Sequence, residues 1–74
     1  MKVKVKLFAS LRTLGPDEQI LELPTGTTID DVVHILKIPV TIRLLKIVNG
    51  EHRPADHQLH DNDELALFPP IAGG

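Results

Sequence analysis

Few residues in this chain could do chemistry, and the strongest candidate is not a side chain. The sequence finishes Leu65-Ala66-Leu67-Phe68-Pro69-Pro70-Ile71-Ala72-Gly73-Gly74, which makes the α-carboxylate of Gly74 the best candidate reacting group. Gly73 and Gly74 carry no side chains, so such an end can slide through a narrow channel and let a partner's backbone approach closely. Pro69 and Pro70 stiffen the exit, because each fixes φ and biases its predecessor toward extended geometry. Ile71 and Ala72 complete a tail expected to project from the body. Most chain ends are merely frayed and polar, whereas here a buried-type strand runs to within six residues of Gly74. The reading is therefore a domain over 1–68 and a flexible, extended C-terminal diglycine tail over 69–74.

Other chemistry is thinly represented. The 74 residues hold no cysteine, so disulfides, thiolate catalysis and thiolate metal sites are excluded, and any sulfur chemistry must happen elsewhere on the chain. His52, His57 and His60 lie near Asp56 and Asp61, and imidazole with carboxylate can ligate zinc. Their spacing matches no recognised ligand pattern in a polar loop, so solvated histidines are expected, with no metal. His34 sits off its helix's apolar stripe and is expected to be exposed. A formal net charge of −2 argues against a nucleic-acid footprint, which needs a clustered basic surface. The opening Met1-Lys2-Val3-Lys4-Val5-Lys6 alternates with period two and has no long apolar run, so it reads as neither signal peptide nor membrane span. A soluble cytoplasmic protein is the expectation. The lysines at 2, 4 and 6 could dock an acidic partner, with a solvated strand face as the plainer alternative.

A domain of this size buries about 60% of the surface its unfolded chain exposes, enough for one thin core and no deep pocket. Lys2 to Phe8 alternates as a half-buried strand, with Val3, Val5 and Leu7 on one face and the lysines and Phe8 on the other. Ser10 to Leu14 predicts about one helical turn, closed by Gly15 and Pro16. A second strand is predicted from about Glu18 to Leu23. Thr27 or Thr28 can cap a helix whose first turn holds Asp30 and Asp31 and whose Ile29, Val32, Val33 and Leu36 form one stripe. Pro39 is expected to stop it after about ten residues. A third strand, roughly Ile42 to Val48, should end in the tight Asn49-Gly50 turn. Glu51 to Asn62 reads as loop with short extended pieces, and Glu64 to Phe68 as the final strand.

This order suits one mixed sheet with a helix across it, and the residues that carry it resemble a known family. Val48-Asn49-Gly50-Glu51, the acidic turn Asp61-Asn62-Asp63-Glu64 and the stretch from Leu65 to Gly74 look like the β-grasp sulfur carriers of the MoaD/ThiS type. Within that family the Phe68-Pro69-Pro70 ending resembles the molybdopterin synthase small subunits most. Lys6-Leu7-Phe8-Ala9-Ser10-Leu11-Arg12 is similar to the family's first strand and short helix. The resemblance implies an α+β, ubiquitin-like β-grasp fold with a mixed sheet of four to five strands and one main helix. It also implies a carrier cycle rather than an enzyme acting alone. An E1-like activating enzyme of the MoeB type would use ATP to adenylate Gly74. A sulfur donor protein would convert the adenylate to a thiocarboxylate, and a large synthase subunit of the MoaE type would receive the tail and its sulfur. No cofactor is expected to stay bound.

Strand parity adds an expectation of its own. If Leu65 and Leu67 face the helix, Phe68 faces out, and Phe8 does likewise. The β-grasp topology implied by the resemblance pairs the first and last strands in parallel. That would bring the two phenylalanines together as an exposed patch at the base of the tail, joined by Leu44 or Val48, and such patches commonly mark partner surfaces. Three other readings stay open. A sulfur carrier could serve thiamine, cysteine, tungsten-cofactor or tRNA-thiolation chemistry. A covalent modifier would end as an isopeptide through Gly74. A plain β-grasp interaction domain would have no use for its terminus. After the Asn49-Gly50 turn, His52 and Arg53 stand where molybdopterin carriers often place apolar contact residues, which bears on the choice of large subunit.

Overall fold

The computed structural model describes residues 1–70. They form a five-stranded mixed sheet crossed on one face by a single helix: β1 (Lys2–Leu7), a 3-10 turn (Ala9–Leu14), β2 (Glu18–Glu22), α1 (Ile29–Ile35), β3 (Leu45–Val48), β4 (Glu51–His52) and β5 (Glu64–Phe68). The strand order is β2-β1-β5-β3-β4. β1 and β5 run parallel in the middle, while β1–β2, β3–β5 and β3–β4 are antiparallel. This is the β-grasp arrangement.

Alternation along β1 decides the layers. Val3, Val5 and Leu7 are buried while the lysines between them are not, and β5 repeats the pattern with Leu65 and Leu67. These five side chains meet Ile29, Val32 and Val33 of α1, with Leu11, Leu23, Ile38, Val48 and Leu59 closing the core. Full burial of side chains this size stabilises by about 1.5–3 kcal/mol each, which offsets the entropy cost of ordering so short a chain.

The helix is shorter than its apolar stripe predicts. Its start is as expected: Thr28 and Asp31 form a reciprocal capping box, the Thr28 hydroxyl accepting from the Asp31 amide at 3.1 Å and the Asp31 carboxylate accepting from the Thr28 amide at 3.0 Å. The end comes before Pro39. Lys37 adopts φ 59°, its amide bonds to His34 O at 3.0 Å, and the Ile38 amide bonds to Val33 O at 3.1 Å. That pair of bonds is a Schellman closure, and the buried Ile38 supplies the apolar contact that accompanies it. Pro39 therefore follows the stop instead of causing it. The Ile42 amide then bonds back to Pro39 O at 3.1 Å, so β3 begins at Leu45 instead of Ile42. Gly15 has φ 172°, an extended value open to any residue, so its glycine is not what ends the 3-10 turn.

Asn49 (φ 50°) and Gly50 (φ 85°) form the tight turn between β3 and β4, both left-handed as a type I′ hairpin demands. Asn49 also ties the sheet to the acidic turn. Its side-chain amide donates to Asp63 Oδ1 at 2.9 Å, and its Oδ1 accepts from the Glu64 amide at 2.9 Å. Asp63, itself buried, uses its other oxygen to accept from the His60 amide at 2.8 Å. The polar segment before it is anchored to the helix start by Ile29 N to His57 O (3.1 Å) and Asp30 N to Ala55 O (2.9 Å).

Candidate docking site at the base of the tail

Parallel pairing sets Leu7 beside Leu67, and each strand's next residue is a phenylalanine on the face away from the helix. The Phe8 amide donates to Leu67 O at 3.1 Å, fixing the end of β1 against the end of β5. The rings of Phe8 and Phe68 stack with centroids 4.2 Å apart and planes 12° from parallel. Both are half-buried, each covering the other. An aromatic pair of this kind contributes about 0.5–1.5 kcal/mol beyond its area. The two phenylalanines therefore meet on the outer face, as a mutual stack instead of two rings pointing freely into solvent.

Its other members are not the ones expected. Val48 is buried, at 5% exposure, and Leu44 packs against the core cluster. In β3 the register sets Leu45 beside Phe68 and Ile47 beside Ala66, which puts Leu45 and Ile47 on the outer face. The expectation was out by one residue, and a one-residue shift turns every side chain of a strand to the opposite face. Leu44-Leu45 and Ile47-Val48 are two apolar pairs that offer no alternation to count. The face is decided only by pairing with β5, which sets Val48 beside the buried Leu65. The outer surface at the head of the tail is thus Phe8, Phe68, Leu45, Ala66 and Ile47, with Leu45 42% exposed.

Charged pairs frame it. The Lys6 ammonium is paired with the Glu64 carboxylate across β1 and β5. Hydrogen bonding to Lys6, then its charge, holds Glu64 below the ordinary carboxylate value, and the same hydrogen bond raises Lys6. Arg12, at the end of the 3-10 turn, holds Asp17 low by a hydrogen bond in the same way. Lys4 pairs with Glu18 at 3.2 Å. Two of the three lysines of β1 are therefore matched within the sheet, which weakens the reading of a free basic strip.

Pro69 is half-buried and Pro70 exposed where the chain leaves β5. The sequence-predicted Ile71, Ala72, Gly73 and Gly74 lie outside the described residues. His57 and His60 meet edge to face at 6.5 Å, His52 lies opposite Ile47 on β4, and the exposed His34 uses Nδ1 against Asp30 O at 2.8 Å. Among the described residues no three His, Cys, Asp or Glu side chains converge as a metal site, and no helix is long and apolar enough to cross a membrane.

A family profile, that of the ThiS family, matches residues 5–74. The chain belongs to the ThiS family. Similar ThiS-type relatives include a molybdopterin synthase sulfur carrier subunit of Chlamydomonas reinhardtii, 36% identical over 83 aligned residues that span all of both chains. Among solved structures, a Pyrococcus furiosus protein assigned as molybdopterin converting factor, subunit 1, superposes with a TM-score of 0.77 at 31% identity, covering 96% of this chain and 99% of that one. The small archaeal modifier protein 1 of Methanosarcina acetivorans superposes with a TM-score of 0.74 at 30% identity, covering 99% and 96%. Both carry the ubiquitin-like β-grasp fold of this ThiS-family chain.

Proposed function

We propose that this chain is the sulfur carrier of a molybdopterin synthase, acting through the carboxylate of Gly74. The observation that carries the reading is the Phe8–Phe68 stack at the point where β5 passes into Pro69-Pro70 and the diglycine end. An apolar surface where the chain leaves β5 supports a reading in which partners dock there to handle the end of the chain. The likeness to the Chlamydomonas molybdopterin synthase sulfur carrier subunit supports the same assignment and a place in an assembly with a partner.

A carboxylate is a poor electrophile until one of its oxygens becomes part of a good leaving group. An E1-like activating enzyme would supply that group. The Gly74 carboxylate oxygen attacks the α-phosphorus of ATP and pyrophosphate leaves. Hydrosulfide released from a sulfur donor would then attack the acyl carbon and lose its proton, AMP leaving with the C–O bond pair, so that a thiocarboxylate remains on Gly74. The roles of ATP, of an activating enzyme of the MoeB type and of a large subunit of the MoaE type belong to this proposal. So does action in the cytoplasm.

Incubation with ATP, a sulfide source and an activating enzyme of this type, followed by intact mass spectrometry, tests it. The expected product gains the mass of one sulfur in place of one oxygen. No mass change with an activating enzyme proven active on its own carrier would overturn the proposal. A second reading, a covalent protein modifier, is favoured by the likeness to the small archaeal modifier protein. It would appear in the same spectra, and in immunoblots of cells, as adducts through Gly74 to lysines of other proteins.

A further inference from the structure

The sheet has two edges, and they are unequal. β4 is two residues long, whereas β2 presents Glu18–Glu22. Met1 and Leu23 exchange both backbone hydrogen bonds, each 2.8 Å, and the Leu7 amide donates to Asp17 O at 2.8 Å. In an antiparallel ladder hydrogen-bonded pairs alternate with non-bonded ones. With the register Val3↔Leu21, Lys4↔Ile20 and Val5↔Gln19, the bonds to β1 fall on Gln19, Leu21 and Leu23. The N–H and C=O groups of Glu18, Ile20 and Glu22 therefore point away from the sheet, an open row for one more strand.

Side chains along that row are selective. Glu18, Ile20 and Glu22 share the outer face, with Ile20 64% exposed between two carboxylates. A second copy pairing antiparallel along the whole of β2 would centre on Ile20 and set Glu18 opposite Glu22 twice, and like charges directly opposite each other are destabilising. The strand β2 already accepts shows the complementary pattern: Lys6 stands beside Glu18 and Lys2 beside Glu22. On the inner face Leu21 is only partly covered and packs at the core's margin, so an apolar residue opposite it would extend the core.

We infer that the free edge of β2 is a docking site for an extended segment of a partner protein, added as a sixth strand with basic residues opposite Glu18 and Glu22. Main-chain bonds would supply affinity and the two glutamates the choice of partner, as in other strand-addition complexes. The site lies across β1 from Phe68, so it can be occupied while the tail is engaged elsewhere, and it stands whether or not Gly74 carries sulfur.

The test is a titration of the isotopically labelled full chain with a capped peptide containing Lys-Val-Lys-Val-Lys, followed by amide NMR. Saturable shifts at Glu18, Ile20 and Glu22, with Ala66 and Phe68 undisturbed, are expected. A matched Glu-Val-Glu-Val-Glu peptide should produce none. Ile20→Pro removes an outward amide that β1 does not use, as prolines on edge strands do, and should abolish binding. Glu18→Gln with Glu22→Gln leaves the backbone intact and should weaken binding at least tenfold. Shifts centred on Phe8 and Phe68, equal binding by the glutamine variant, or absence of saturable binding would each overturn the inference. Peptide-free dimerisation through β2 would also overturn it, by assigning the edge to a second copy.

Discussion

At the scale of single residues, the outer face of the sheet is held by charge pairs whose sign sets a pH dependence. Glu64 is depressed from an ordinary value of 4.5 by Lys6, and Asp17 from 3.8 by Arg12. A carboxylate that titrates lower in the folded chain than in the unfolded one stabilises the fold above its ordinary value, and that contribution is lost as the pH falls through the folded value. Melting temperature should therefore drop as the pH is lowered from about 6 to about 3. Glu64→Gln combined with Asp17→Asn should flatten that acid limb. The raised Lys6 acts at the other end, its contribution fading only as the pH climbs past 10.5. An acid limb of unchanged slope in the double variant would show that these surface pairs do not hold their geometry in solution.

At the scale of elements, the helix depends on its ends. Seven residues are too few for a helix to persist alone, and α1 is secured by a capping box at Thr28 and a Schellman closure at Lys37–Ile38. Thr28→Ala should cost about 1 kcal/mol, read as a lowered urea midpoint. Lys37→Gly should move the midpoint the other way, since φ 59° suits glycine better than lysine. The N-terminal cap was legible in the sequence because capping residues and carboxylates announce themselves by type. Its C-terminal end was not, since nothing about a lysine advertises a left-handed conformation, and Pro39 stood nearby as a more conspicuous stop. Strand β1 could be read residue by residue from its Lys-Val alternation. Strand β3, with apolar residues on both faces, kept its start and its parity hidden until β5 fixed its register.

At the scale of the whole molecule, one sheet has two unlike faces: an inner face that packs the core and an outer face that carries the Phe8–Phe68 stack, the proposed docking surface. Leu67 and Phe68 are neighbours that test this division. Leu67 is fully buried, and Leu67→Ala should cost about 2–5 kcal/mol. Phe68→Ala loses a half-buried ring and one stacked contact, for which about 1–2 kcal/mol is expected, while binding to an activating enzyme or large subunit should fall steeply. Equilibrium unfolding beside a binding assay separates the two. Equal destabilisation by both would return Phe68 to the core. The position of this surface was legible from the parity of β1 and β5, and its nearest members Leu45 and Ile47 were not. The proposed tail chemistry rests on the sequence Phe68-Pro69-Pro70 and Gly73-Gly74 alone, since Ile71 to Gly74 lie outside the described residues.

Strand order has one more consequence, for the way the protein is made. β5 is the last strand to be synthesised and the central one in space, lying between β1 and β3. Lys4 waits for Glu64, 60 positions downstream (64 − 4). A nascent chain that has emerged only through β4 holds two separate hairpins with a gap where their shared strand belongs, and neither hairpin is stable alone. When β5 arrives, it closes the sheet and in the same event brings Phe68 onto Phe8. A partner that recognised the stacked rings would thereby bind only a chain whose sheet has closed, and a chain interrupted before β5 would lack the surface.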